Sequence, residues 1–399
     1  MRLPNNEFMS AKGGSAYGRK KILFVTRPIC PPWDEASKNF AYYLAKNIKG
    51  FEIHLLTNGI LPNLPENIIQ ENIYNSGGFG LSQKIKLFRF LRKNRNNFDI
   101  IHYLFTPTKQ NSFFIKNFAK PKRGKSIQTI ATLREDLYSD DDLKKILFAD
   151  SIITYSDYSK NKLKSLGLKN ALPGSELSST TRVEAIYPGI DLDLYSPVSK
   201  DPELMKKFGF TPDDFVINFA GEYTRLGAID GVIDSFLEIS EKIPNAKLSL
   251  AVRIKNEKDA EKKREVIEKL KEAGVFEKVA FQDDGSYQMQ DVFNLCDVSI
   301  FPVQNMKGKF DVPLSVIEAM ACEKPVIISD LPIFQEFANE QNSVKIEAGN
   351  MEKLFQAVLD VKENPERYAE IGKNSRKFVE ENFDIKKVAE KYQKIYGEL

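Results

Sequence analysis

FDVPLSVIEAMACEKPVIISD, residues 310–330, decides the fold. A loop leads to Pro313, which suits the first turn of a helix because its missing N–H would have no intrahelical partner there. The apolar run 314–322 has helical character, and after the break at 323–325 the run 326–329 reads as a buried strand. A loop-to-helix junction of this kind presents unpaired backbone N–H groups and the positive end of the helix dipole, a ready site for a phosphate. Glu318 lies a turn and a half into the helix, among Val316, Ile317, Ala319, Met320 and Ala321. A carboxylate in such surroundings needs a partner. The hydroxyls of a ribose would serve, and so would a neighbouring Arg or backbone amides.

Outward from this unit the same plan repeats. Strand-like apolar runs occupy 216–220, 247–252, 279–282, 298–303, 326–329 and 344–346 in the second half, and 22–26, 52–57, 100–105, 127–132, 151–156 and 183–187 in the first. Helical patterns such as 81–95 and 143–149 lie between them, and 371–399 reads as a charged helical tail. Continuous apolar strands alternating with helices predict right-handed βαβ units and doubly wound parallel sheets. The fold class is therefore α/β, with six strands expected in each of two Rossmann-like domains. A length of 399 residues accommodates both cores.

The run VSIFPV…FDVPLSVIEAMACEKPVIISDLP resembles the C-terminal signature of the family 4 retaining glycosyltransferases of the two-domain GT-B type. In that family a Glu-x7-Glu pair spans loop and helix, followed by A-M-A-x-G-x-P-V. Glu318 matches the second, ribose-binding Glu. The first falls on Phe310, with Asp311 one place off, and the usual Gly is Glu323. The opening strand and Pro-rich turn (RPICPPWDEASKN), the segment FADSIITYSDYSKNKLKSLG with Ser156 and Lys160, and the interdomain crossing AIYPGIDLDLYSP with Gly189 and Asp191 resemble the same family. The resemblance implies a flexible tail at 1–18, an acceptor domain at 19–192, a nucleotide-sugar domain at 193–383, and a helix crossing back at 384–399. Closure on the donor by a hinge near 189–194 and the C-terminal tail is expected, as is common for two-domain enzymes.

The function implied is transfer of a sugar from a nucleotide sugar to a glycan or lipid-linked acceptor with retention of configuration, without metal or other cofactor. The alternative is a catalytically impaired GT-B binding or partner subunit. Of the family's diphosphate clamp, the Arg position is Glu222 and the Lys position Gly227; only Arg225, between them, is cationic. Arg225, Asp311 and Glu318 are the catalytic candidates, and Arg225 has a plain alternative as an ion-pair partner of Glu222 or Asp230. Arg253, Gln282, Asp283, Lys307, Lys309, Val312, Leu314 and Ser315 join Arg225 and Glu318 on the donor side. Asp34, Glu35 and Arg134 fall on the acceptor side, where Asp34 would equally be a helix N-cap. The family's acceptor-side His is absent: that site reads ATLREDLY, with Leu133 and Arg134, and the chain has only His54 and His102. His54 lies within a strand and reads as structural; His102 is a structural residue or a ligand.

The net charge of +3 hides an asymmetry. Residues 1–192 hold 29 Lys/Arg against 17 Asp/Glu (+12), and the remainder 29 against 38 (−9). Twelve of the cations fall between Lys84 and Lys125, with Asp99 as the sole acid, which suggests an anionic partner or a solvated basic face. Within LSQKIKLFRFLRKNR (81–95), Leu81, Ile85 and Phe88 form one stripe, Leu87 and Leu91 lie near a second, and Lys84, Lys86, Arg89, Arg92, Lys93 and Arg95 surround them. One stripe packs on the sheet; the other makes peripheral contact with an anionic membrane an expectation. Nucleic acid is not expected as a partner, because Phe88, Phe90, Phe113 and Phe114 fall where the core needs them and no RNA-binding motif accompanies them. Three dispersed Cys (Cys30, Cys296, Cys322) argue for a reducing compartment, hence a cytoplasmic setting, in which the membrane contact expected above would be peripheral on the inner face. No G-x-G-x-x-G or Walker loop occurs, which disfavours ordinary NAD and P-loop chemistry.

Overall fold

The computed structural model describes residues 18–31, 33, 35–167, 181–283 and 287–399. The tail expected at 1–18, apart from Gly18, and the candidate Asp34 therefore lie outside the described residues. Strands β1 (Lys21–Ile29), β2 (Glu52–Thr57), β3 (Ile68–Asn72), β4 (Ile100–Leu104), β5 (Lys125–Ile130), β6 (Ser151–Thr154) and β7 (Arg182–Ala185) form one sheet in the order β3-β2-β1-β4-β5-β6-β7. Strands β8 (Phe215–Phe219), β9 (Ala246–Leu250), β10 (Val279–Phe281), β11 (Val298–Phe301), β12 (Val326–Ser329) and β13 (Val344–Ile346) form the other, in the order β10-β9-β8-β11-β12-β13. Every pairing is parallel. The strand order reverses between β1 and β4 and between β8 and β11, and ligand crevices of open α/β sheets open at such points.

Both faces of each sheet are covered, which is why the strands read as unbroken apolar runs. In the first domain helices α1 (Ala36–Asn47), α2 (Leu81–Asn94), α3 (Lys109–Phe114), α4 (Asp140–Ile146) and α5 (Asp157–Ser165) connect the strands. Ile22 and Phe24 of β1 point to the face covered by α1, and Leu23 and Val25 to the face covered by α2 and a π-helical turn, Ile115–Ala119. The second domain carries α6 (Pro202–Lys207), α7 (Ile229–Lys242), α8 (Glu257–Glu272), α9 (Met289–Leu295), α10 (Leu314–Ala321), α11 (Met351–Glu363) and α12 (Pro365–Asn382). Helix α13 (Ile385–Glu398) then returns to the first domain, where Tyr392 and Tyr396 are completely buried beside Phe24 and Phe40.

The two chain crossings run together. Ile190 N–H donates to Phe383 O at 2.8 Å, and Ile385 N–H donates to Ile190 O at 3.0 Å. Gly189 leaves room for this approach: a Cβ there would lie 2.7 Å from Ile385 Cδ1.

Four expectations are corrected. The first sheet has seven strands, because β3 (IIQEN) is a half-polar edge strand with Ile68 buried and Ile69 exposed. The helix expected at 143–149 is α4, three residues earlier, where Ser139 accepts from Asp142 N–H as its N-cap. The tail is two helices, broken at Phe383, with Asp384 capping α13. Phe113 and Phe114 are exposed, not core residues. In α2 the packing stripe is the one through Leu87 and Leu91, which leaves Leu81 and Ile85 in solvent.

Candidate active site

A cleft of about 1780 Å³ separates the domains, floored in the second by residues that follow β8, β9, β10 and β11. At the β8 end, Glu222 is 5% exposed and gathers three cations. Arg225 binds it through Nε and Nη2, both at 2.6 Å; Lys309 Nζ lies at 2.7 Å, and Lys255 Nζ completes the set. Burial alone would raise the Glu222 pKa, but hydrogen bonds and charge from Arg225, Lys309 and Lys255 hold it well below the usual carboxylate range. Burial pushes Lys309 down to about 8 against the pull of Glu222. Arg225, Lys255 and Lys309 line the cleft and Glu222 does not. One carboxylate against three cations leaves a net +2 facing the space where an anion would sit.

This cluster explains the departures from the family clamp. Gly227 has a φ of +67°, and a Cβ there would lie 3.0 Å from Gln304 Oε1, so a Lys at that position would be strained. Lys255, which follows β9, was not anticipated from sequence. Its only sequence signal is a cation five positions beyond the strand, in AVRIKN, and its pairing with Glu222 is long-range.

Leu314 and Ser315 bring the first turn of α10, with its unpaired N–H groups, to the wall of the same cleft. Ser315 Oγ donates to Ala220 O at 3.3 Å. One turn on, Glu318 also lines the cleft, beside Asp191 and Tyr195 of the crossing segment. Burial raises its pKa to about 7, and a hydrogen bond from Tyr195 opposes the rise. Tyr195 is a second residue that sequence reading missed. Gln282, 4% exposed, lines the cleft after β10; its Oε1 accepts from Ser249 Oγ at 2.9 Å, and its Nε2 has no partner among the described residues. A buried amide donor without a partner is uncommon in a folded protein. Arg253 and Asp283 line the same wall, and Asp283 pairs with Lys263 at 2.5 Å. Glu35 lines the first-domain side and pairs with Arg27 at 3.2 Å.

Other candidates lie elsewhere. Asp311 turns away from the cleft into the first domain, where it accepts from Ser156 Oγ and Ser159 Oγ and its N–H donates to Ala131 O at 2.8 Å. It is 2% exposed and does not take the place of the family's first Glu at the cleft; Phe310 lines that wall instead, edge-on to Tyr155. From the other side, Glu336 accepts from the N–H groups of Asp157 and Tyr158, so both carboxylates of the second domain close on the start of α5. Val312 is buried in the second core. Lys307 is exposed and off the cleft wall, while Arg134 binds Asp136 at 2.8 and 2.9 Å just behind Gly308, where a Cβ would lie 3.3 Å from its Cζ and 3.2 Å from Arg225 Nη1. His102 is completely buried between Tyr396 Oη and Thr129 Oγ1, each at 2.7 Å, so it fastens α13 to the sheet. His54 bridges Glu71 and Glu52 at the sheet edge.

Burial raises the Asp311 pKa to about 6 against hydrogen bonds from Ser156, Ser159 and Thr132. A folded-state pKa above the unfolded one means the native protein binds these protons more tightly. The stability contributed by Asp311 and Glu318 is therefore complete below about pH 4 and lost as pH rises through 6 and 7 respectively. Glu318→Gln is expected to flatten the upper part of this fall, measured as melting temperature against pH. An unchanged slope above pH 6 would show that Glu318 does not titrate there.

Residues 200–378 match the family described as Glycosyl transferases group 1. The second domain is a group 1 glycosyl transferase domain. Over the whole chain, the solved structure of sucrose-phosphate synthase from Thermosynechococcus elongatus superposes with a TM-score of 0.72 at 18% identity, covering 95% of this chain and 99% of that one. HepE from Anabaena, solved with UDP and glucose, superposes with a TM-score of 0.73 at 18% identity, covering 96% and 100%. The chain has the GT-B fold, two Rossmann-like domains facing across a cleft. In sequence, a glycosyltransferase of Methanocaldococcus jannaschii is 20% identical over 66% of this chain and 62% of its own length. D-inositol 3-phosphate glycosyltransferase of Rhodococcus erythropolis is 25% identical over 53% and 47%. The alignments thus span about half to three-fifths of these curated relatives. Among the described residues, no helix is long and apolar enough to cross a membrane.

Proposed function

We propose that the protein transfers a sugar from a nucleotide sugar to a glycan or lipid-linked acceptor, with retention of configuration. The observation that carries this reading is the cationic set of Arg225, Lys255 and Lys309, anchored on Glu222 and lining the same cleft as the start of α10. Displacing a nucleoside diphosphate builds negative charge on the leaving phosphate. Fixed cations and helix N–H groups stabilise that charge without reorganising as it forms. Glu318 takes the ribose hydroxyls and Gln282 Nε2 a base carbonyl. The departing phosphate accepts the proton of the attacking acceptor hydroxyl on the same face, so the step needs neither an enzyme nucleophile nor a metal. HepE was solved with UDP and with UDP-glucose, which supports a nucleotide sugar as the donor class.

Calorimetry with a panel of nucleoside diphosphates tests the donor site. Glu318→Ala is expected to weaken the best ligand by roughly 1–3 kcal/mol, the scale of a charge-assisted hydrogen bond. Unchanged affinity for every nucleotide removes Glu318 from the site. The replacement of the family's clamp Arg by Glu222 favours a second reading, a GT-B binding subunit. Tight nucleotide binding with neither transfer nor hydrolysis of any labelled nucleotide sugar would establish that one instead.

A further inference from the structure

One face of the first domain carries side chains that the donor site does not use. Phe113, Phe114 and Phe118 are 58%, 51% and 44% exposed, and Leu81 and Ile85 of α2 are 75% and 44% exposed. The rings form one group, with centroids 5.8 Å apart for Phe113 and Phe114 and 6.3 Å for Phe114 and Phe118; Phe88 joins at 6.0 Å from Phe114. The π-helical turn produces this arrangement. Its wide register, closed by Lys120 N–H to Ile115 O at 2.7 Å, turns Ile115 and Ala119 into the core and leaves Phe114 and Phe118 outside. Scattered exposed apolar residues are ordinary, but a contiguous group marks a contact surface. Beside it α2 exposes Lys84, Arg89, Arg92 and Lys93, and residues 81–98 contain no acid.

We propose that this face docks on an anionic bilayer, with the three phenylalanines entering the interface and the α2 cations at headgroup level. Aromatic side chains beside a single-sign cationic face are the chemistry of interfacial binding. A second copy of the chain fits poorly, because a two-fold contact would press the same cations against each other. Single-stranded nucleic acid fits poorly as well, since all but the tilted Phe114–Phe118 pair meet edge to face instead of presenting open stacking faces. Leu81, Ile85, Phe88 and Phe114 also line the mouth of the cleft, so docking would open the site toward the bilayer. Resting on the transferase reading, this makes the acceptor a lipid-linked molecule taken from that surface.

Co-sedimentation of the full chain, without nucleotide, tests the proposal with two kinds of vesicle: phosphatidylcholine alone, and phosphatidylcholine mixed with phosphatidylglycerol. Binding is expected to the mixed vesicles only and to fall as salt rises. The double variants Phe113→Ser/Phe118→Ser and Lys86→Ser/Lys93→Ser are each expected to weaken it by more than about tenfold. Unchanged melting temperatures would show that both variants are folded, and Phe118→Trp should shift its emission to the blue on the mixed vesicles. Equal binding to both vesicles, binding to neither, or full binding by both double variants overturns the proposal. So does a concentration-dependent dimer that Phe113→Ser/Phe118→Ser abolishes. Vesicle binding without affinity for any nucleoside diphosphate would leave this proposal standing and remove the transferase reading; the converse result would do the reverse.

Discussion

Ending the chain after Phe383 is expected to unfold the first domain. Helix α13 is the last element in sequence, yet Ile385, Val388, Ala389, Tyr392, Ile395 and Tyr396 are all buried against α1 and the first sheet. At about 1.5–3 kcal/mol for each large side chain, their burial contributes on the order of 10 kcal/mol. That equals the whole stability of an ordinary domain. Denatured chains already bury some of this surface, so the figure is an upper one. The loss would also strip His102 of its Tyr396 partner and leave a buried imidazole half-satisfied. Amide exchange on a 1–383 truncation checks this: protection of β1, β4 and β5 should vanish while that of β8, β11 and β12 persists. Native protection in both sheets would show that α13 is an accessory.

The second large effect belongs to Glu222. Glu222→Gln leaves Lys309, which is mostly buried, without its counter-charge, and removes the point on which Arg225 and Lys255 converge. Breaking a buried pair from one side is costly. Arg225 and Lys255 are more than a third exposed, so water screens their share. A loss of roughly 2–3 kcal/mol is expected, carried mainly by Lys309. A bound diphosphate would supply the missing negative charge, so saturating nucleoside diphosphate should raise the melting temperature of the variant more than that of the parent. Equal increments in the two proteins would place the diphosphate away from these cations.

What could be read from the chain followed the range of the interactions involved. The six strands of the second sheet and the α10 junction were legible because burial on both faces writes itself locally, as runs such as Val326–Ser329. Strand β3 was not, because an edge strand with Gln70 and Glu71 carries half the apolar signal. Glu318 and Gln282 stood out by position and do line the cleft. The Glu222 cluster did not, since it joins residues after β8, β9 and β11, 33 positions apart in the case of Lys255. Asp311 looked like a donor-side carboxylate because only tertiary structure reveals that its loop enters the first domain. The outward turn of Phe114 and Phe118 depends on one extra residue in a helical turn, which apolar periodicity does not register.

The paired crossing at Ile190 and Phe383 sets the geometry of any opening. Two crossings hydrogen-bonded side by side make one ribbon between the domains, so an opening would bend there and would have to break the hydrogen bonds of Asp311 and Glu336 to α5. Displacement then grows with distance from that ribbon. Asp191 and Tyr195 belong to the crossing segment and line the cleft with Glu318, so these three would shift least. The ribose end of a nucleotide would thus meet nearly the same surroundings in an open and a closed molecule, and the reacting end would meet the changing ones.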